Sequence, residues 1–252
     1  MAKLEKGSKE WWEDYLTHGH RLEGFARVLF PILPANPRCK ICKAPFRGFG
    51  KLLAPFGWSP SRKNPAMCGF CSNRLPAGGA EVPVAVLVAD VCGYTTMSET
   101  MPAPEVAALM NAFFTKSSDI LMKHDALIDK YMGDAVQALF LPGIAGVGFA
   151  KSAVEAAEEI AREFREAPIQ LRIAVHHGVA FVGNVGSVNM VDLTVMGDVV
   201  NTCHRLQGAV NPNEIVLSQA TWEAAGSDHA FEPFTATLKG KSEPVEARRR
   251  SY

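Results

Sequence analysis

Two carboxylates far apart in the chain close apolar runs at turns. Val84-Ala-Val-Leu-Val-Ala-Asp90 is a near-continuous apolar stretch that reads as a strand and ends on an acid before a Gly-containing turn. Ala126 to Phe140 holds two strand-like halves around Gly133-Asp134, a hairpin signal. Should the two ends converge, Asp90 and Asp134 give a pair of hard oxygen ligands suited to magnesium or manganese. Taken singly, each is ordinary turn chemistry. Asn201 and Arg205, four apart, fall on one face of a helix whose buried side takes Val200 and Leu206. An amide there can orient a ribose oxygen while a guanidinium stabilises phosphate charge. Four thiols form a second group. Cys39-Lys-Ile-Cys42 and Cys68-Gly-Phe-Cys71 are two C-x-x-C pairs 25 residues apart, the spacing that lets four thiolates surround one metal tetrahedrally. Structural zinc is the expected ion, and an iron–sulfur cluster would use the same ligands. Cys92 and Cys203 stand alone in apolar surroundings and read as small buried residues.

The elements that must hold these groups follow from periodicity. Val106, Leu109, Met110, Phe113, Phe114, Ser117, Ile120 and Leu121 form one helical face. A long Ala- and Glu-rich helix is expected over about 146–167, then a strand from Ile169 to His176, a Gly-rich turn at Gly183-Asn-Val-Gly186, and a strand from Val191 to Met196. Near the N-terminus, Trp11, Trp12, Tyr15, Leu16, Leu22, Phe25, Ala26 and Leu29 recur at helical intervals. They predict an amphipathic helix over about 9–30, ended before Pro31, whose aromatic stripe suits dimerisation or docking on another protein surface.

Composition bounds the class. The chain has 252 residues, 26 basic and 26 acidic side chains and 48% hydrophobic residues, which excludes wholesale disorder and fits one sizeable core plus a small module. Its mean hydropathy is +0.03. No apolar run is long enough to span a membrane, and the first residues are charged where a signal peptide is apolar, so a cytoplasmic location is expected. The charge is uneven: residues 31–79 carry eight basic and no acidic side chains, residues 80–252 thirteen and twenty-one. Together with the aperiodic Leu75-Pro-Ala-Gly-Gly-Ala80 linker, this divides the chain into a helix (1–30), a basic four-cysteine module (31–79) and a C-terminal domain (80–252). The basic charge offsets the thiolates of the metal site. Nucleic-acid binding is disfavoured, because no recognition helix or stacking array accompanies it.

Four ordered segments, Asp90-Val-Cys-Gly-Tyr-Thr95, Ile128-Asp-Lys-Tyr-Met-Gly-Asp-Ala135, His176-His-Gly-Val-Ala-Phe-Val-Gly-Asn-Val-Gly-Ser187 and Leu193 to Leu206, together resemble the class III adenylate/guanylate cyclase catalytic domain. The resemblance covers residues 80–252. It implies an α+β fold: a ferredoxin-like βαββαβ sheet, rich in antiparallel pairs, with helices on one face. It implies cyclisation of a nucleoside triphosphate by two Mg2+ or Mn2+ ions held at Asp90, Val91 and Asp134. The turn at Gly93, Tyr94 and Thr95 matches the one that cradles phosphates, Lys239 matches loosely a phosphate-contacting lysine, and Asn201 and Arg205 match the pair that orients ribose and stabilises the transition state. Lys130 and Thr194 match the base-reading positions. An ammonium suits adenine N1, so ATP is the expected substrate. Tyr94 in place of a commoner Phe leaves the pyrimidine nucleotides open, and Asp125-Ala126 replaces a frequent Gly-Gly.

In this family the site forms between two catalytic domains, and this chain holds both halves of it. A symmetric homodimer is therefore expected. The helix and the cysteine module are candidates for aligning its halves. The rival expectations are a pyrimidine or guanine nucleotide cyclase, or a catalytically silent cyclase-like domain that binds a nucleotide or a partner.

Overall fold

The computed structural model describes residues 4–19, 37–61, 65–187, 190–226 and 230–252. Helix α1 (Lys9–His18) starts at Ser8, whose hydroxyl accepts from the Trp11 N–H at 3.2 Å. It ends far short of residue 30, because Gly19 turns the chain at φ 73° and returns its N–H to the Tyr15 carbonyl. Leu22, Phe25, Ala26 and Leu29 of the predicted stripe lie outside the described residues. The stripe that remains, Trp11, Trp12, Tyr15 and Leu16, is buried against the protein's own sheet. This face is therefore spent within the chain, where docking on another protein was expected.

A 3-10 segment (Gly48–Phe56) and the short helix α2 (Gly69–Ser72) belong to the cysteine block. Then follow β1 (Gly78–Val91), α3 (Tyr94–Thr100), α4 (Ala103–Lys123), β2 (Leu127–Met132), β3 (Ala135–Phe140), α5 (Pro142–Ala145) and α6 (Phe149–Glu163). The chain continues through β4 (Leu171–Ser187), β5 (Met190–Met196), α7 (Asp198–Gly208), β6 (Glu214–Ser218), α8 (Gln219–Ala224), β7 (Glu232–Ala236) and β8 (Val245–Ser251). The strands form one sheet in the order β2-β3-β1-β4-β6-β8-β7, with β5 paired to β4. The pairs are antiparallel except β4 with β6. This is the mixed α+β arrangement expected.

Helices cover both faces of the sheet, not one. Ala85, Leu87, Ala89 and Val91 of β1 pack in one core with residues of α4 and α6, such as Phe113 and Ile160. Val82, Val84, Val86 and Val88 pack on the other side with Trp12 of α1, Cys203 of α7 and the four knuckle cysteines. Burial on both faces is why β1 reads as a continuous apolar run and not as an alternating one.

The Gly-rich turn at 183–186 is not a turn. Strand β4 runs unbroken through it for 17 residues. Gly183 lies opposite Gly79 on β1, and a Cβ on Gly183 would stand 2.3 Å from the Gly78 carbonyl oxygen. The glycines answer a close backbone approach, a need that looks like a turn signal in sequence. Asn184 adds to this seam, donating through Nδ2 to the carbonyls of Leu75 and Pro76, each at 3.0 Å. The segment read as a linker is thus bonded to β4, and Gly78 to Ala80 already belong to β1.

Candidate active site

Sheet register brings the two carboxylates together. Asp90 pairs with Ala135 across β1 and β3, and the Val91 N–H donates to the Asp134 carbonyl at 3.2 Å. Gly133 makes the tight turn before Asp134 at φ 62°. Burial pushes the Asp90 carboxyl up to about 6, repulsion by Asp134 adds to that, and Gln207 and Arg172 oppose it. Two neighbouring carboxylates, one disfavoured in its charged form, are a donor set that fits a divalent cation. The Val91 side chain is buried, so that residue can offer such an ion only its backbone.

Directly after β1, Gly93 takes φ 73° and opens α3. Tyr94 leans on the α4 side of the core, while Thr95 is exposed. On α7, Asn201 is exposed and Arg205 half-buried. Gln207, two residues beyond Arg205, donates through Nε2 to Asp90 Oδ2 at 2.8 Å. Side chains two apart on a helix do not share a face, so α7 turns Gln207 toward the chain's own Asp90 and directs Arg205 elsewhere. Lys239 is exposed, and its neighbour Gly240 lies against the Arg205 guanidinium, 3.4 Å from a Cβ that position would carry. Lys241 pairs with Asp198 at the start of α7.

Lys130 and Thr194, 64 residues apart, meet directly: Lys130 Nζ donates to Thr194 Oγ1 at 2.9 Å. Behind them lies a polar chain that sequence reasoning did not anticipate. Gln137 Nε2 donates to Asp129 Oδ2 at 2.5 Å, and Gln137 Oε1 lies 2.7 Å from His204 Nε2. Burial, and to a lesser degree Lys130, holds the His204 imidazole below its usual range, hence neutral. One sequence signal could have found this chain. Gln137 is the lone polar residue in Ala135-Val-Gln-Ala-Leu-Phe140, a strand buried at every position, and a buried amide requires partners.

The four cysteines converge as their spacing implied. Their sulfurs all lie within 4.8 Å of one another, and Cys42 and Cys68 are 3.7 Å apart. Tetrahedral Zn–S bonds of about 2.3 Å put sulfurs roughly 3.8 Å apart. Cys39 accepts from the Cys68 N–H at 3.2 Å, and Cys68 from the Cys71 N–H at 3.4 Å. Hydrogen bonding from Cys42 pulls the Cys39 thiol down, and Cys39 in turn pushes Cys42 and Cys71 up. Four buried sulfurs this close together are a donor set that fits a tetrahedral metal ion. Cys203, by contrast, is pushed up to about 12 by complete burial, the inert residue expected. Cys92 is also pushed up by burial. Lys40, between the first two ligands, pairs with Asp125 at 2.5 Å. Asp125 turns the chain from α4 into β2 at φ 63°, a backbone that explains why glycine is frequent there.

Residues 80–247 match the adenylate and guanylate cyclase catalytic domain, and the chain belongs to that family. Adenylate cyclase 1 of Rhizobium meliloti is 30% identical over 176 residues, 65% of this chain and 26% of that protein. An uncharacterised protein of Mycobacterium tuberculosis is 32% identical over 185 residues, 69% of this chain and 32% of its own length. The chain thus spans about a third of the length of the curated relatives it matches. Among solved structures, the adenylyl cyclase CyaB of P. aeruginosa superposes with a TM-score of 0.62 at 26% identity, over 68% of this chain and 94% of that one. The guanylyl cyclase Cya2 gives 0.62 at 30% identity, over 68% and 93%. Among the described residues, no helix is long and apolar enough to cross a membrane.

Proposed function

We propose that the protein is an adenylate cyclase, converting ATP to 3',5'-cyclic AMP and pyrophosphate at sites shared between two copies of the chain. The observation that carries the choice of base is the direct bond between Lys130 and Thr194. An ammonium donates to adenine N1 and a hydroxyl accepts from the adjacent amino group, whereas guanine presents N–H donors that call for a carboxylate. A guanylyl cyclase stands among the structural relatives, so GTP is the competitor that this pair must reject.

Two divalent cations held by Asp90, the Val91 backbone and Asp134 would supply activation of the ribose 3'-hydroxyl and charge neutralisation for the triphosphate. The residues of the chain do the rest. Asn201 orients the ribose so that its 3'-oxygen lies in line with the α-phosphorus. As the 3'-hydroxyl gives up its proton to water and its oxygen bonds to that phosphorus, the bond to the bridging oxygen breaks and pyrophosphate leaves with that electron pair, and Arg205 stabilises the charge that builds up there. The turn at Gly93 to Thr95, with Lys239, holds the departing pyrophosphate.

Sharing between chains is supported by α7, which gives Gln207 to its own Asp90 while Asn201 faces solvent. It is also supported by Val179, Val191 and Met196, large apolar side chains exposed on β4 and β5. The cysteine cluster is read as one structural zinc per chain. Purified protein offered each of ATP, GTP, CTP and UTP with manganese should yield cyclic AMP as the principal product by mass, and Asp134→Ala should abolish it. Principal product from GTP would refute the reading of Lys130. Nucleotide binding that survives Asp134→Ala, with no cyclic product from wild type, would make this a silent binding domain.

A further inference from the structure

Asp129 is almost wholly buried: 1% of its side chain is exposed, and its Oδ1 has no hydrogen-bond partner. A buried carboxylate oxygen lacking a donor is costly, so what surrounds it is informative. Lys130 Nζ lies 3.4 Å from Oδ2, and Gln137 donates to that same oxygen. Burial pushes the Asp129 carboxyl up, while Lys130, the Thr194 hydroxyl and Gln137 pull it back toward its charged form.

The proton positions then follow one from another. A carboxylate only accepts, so Gln137 must present its NH2 to Asp129 and its carbonyl to His204, which donates from Nε2. An ammonium only donates, so the Thr194 hydroxyl accepts from Lys130. Its own proton remains uncommitted, while Asp129 Oδ1 lacks a donor and the Thr194 hydroxyl is close enough to favour the charged form of that carboxyl. A rotation of the Thr194 hydroxyl toward that oxygen would supply the missing donor and leave a Thr194 lone pair facing outward.

We propose that Asp129 is a positioning residue that makes Thr194 an obligate acceptor beside Lys130 as donor, so that the pocket selects nucleobases carrying an amino group next to an unprotonated ring nitrogen. Adenine (N6 and N1) and cytosine (N4 and N3) present that edge. Guanine and uracil present its reverse, a carbonyl next to an N–H. The inference rests on the cyclase reading and sharpens it: among the pyrimidine nucleotides it places CTP with ATP and UTP with GTP.

The test compares wild type, Asp129→Asn, Thr194→Val and the double variant, using kcat/KM for each of the four nucleoside triphosphates and calorimetric binding of their α,β-methylene analogues. In wild type, ATP should exceed GTP, and CTP exceed UTP, by roughly tenfold or more, the span of one base-edge hydrogen bond. Asp129→Asn should collapse both ratios about tenfold, chiefly through KM, because its amide can donate to Thr194 and free the hydroxyl proton to point outward. Thr194→Val should collapse them too, and adding Asp129→Asn to Thr194→Val should change nothing further. An equal loss with all four nucleotides, or additive effects of the two substitutions, overturns the proposal. Should Asp129→Asn fail to fold, Thr194→Ser must keep the ratios that Thr194→Val loses. Absence of any cyclic product sinks the cyclase reading alone, since the binding ratios still decide this one; equal binding of all four analogues, or none, overturns it.

Discussion

The sheet domain and the cysteine block reach order by opposite means. In the sheet, Val84 to Ala89 of β1 are sealed between two layers of side chains, and that packing, with the β1–β3 register, fixes where Asp90 and Asp134 stand. In the block, from Pro37 to about Arg74, regular structure among the described residues comes to a 3-10 segment, one turn of helix and two isolated β-bridges. Its four sulfurs converge, in one buried cluster with Ile41, Met67, Trp12 and the valines of β1. The lesson is that the sheet positions its site through packing and register, whereas in the block, on the zinc reading proposed above, the groups that would do chemistry are also those that would hold the fold.

The strongest way to break that contrast is at Arg205. Arg205→Ala should lower kcat by roughly 10²–10³-fold, the effect of removing a donor aimed at developing charge, with a much smaller change in KM. The melting transition should be almost unchanged. A large fall in melting temperature would mean that this side chain serves packing instead. Next in size is Cys71→Ser. Metal content should fall from one zinc per chain to near zero, and amide exchange should rise across residues 37–74, because metal binding of about 10–16 kcal/mol is folding energy for such a module. Protection of β1, β3 and β4 should persist. Iron in place of zinc in the purified protein would replace the metal assignment, and loss of sheet protection would dissolve the contrast.

Smaller effects sharpen it. Asp90 is raised from 3.8 to about 6 by burial first and by Asp134 second. A raised carboxyl binds its proton more tightly in the folded chain. Its contribution to stability is therefore complete below 3.8 and lost as pH rises through about 6. The same proton competes with a divalent cation, so manganese affinity measured by titration should strengthen as pH climbs through that value. An affinity flat from pH 5 to 8 would remove Asp90 from the ligand set. Smallest of all is Lys40→Ala. The Lys40 to Asp125 pair is partly exposed, 23% and 41%, and pairs of this kind contribute about half a kcal/mol. A shift in melting temperature of a few degrees is the ceiling; a larger one would make this contact a principal joint between the two regions.

Much of this was legible in the residues. Both carboxylates, the hairpin at Gly133-Asp134 and the cysteine knuckles are local signals, and the structure has them at the elements expected. What escaped was non-local. Gly183 looked like punctuation because a glycine needed for close approach of Gly78 is indistinguishable, in one dimension, from a glycine that turns the chain. The second covered face of the sheet was hidden because the apolar side of α7 and the aromatic stripe of α1 do not say in sequence which surface they cover. Asp129 and Gln137 passed as strand polar residues. Their significance depends on His204 and Thr194, which arrive from elements more than 50 residues later.

The seam between β1 and β4 has a mechanical side. Backbone at Gly78 and Gly79 lies almost flush on Gly183, and Asn184 ties two carbonyls just upstream of β1. Strand β4 leads directly on to β5 and so to Thr194. Force applied to the cysteine block at its junction with β1 therefore meets bonded backbone. It passes along covalent chain and paired backbone into β4 and β5, so if Thr194 reads the base as proposed, the cysteine block is a handle on that pocket and not an appendage to it.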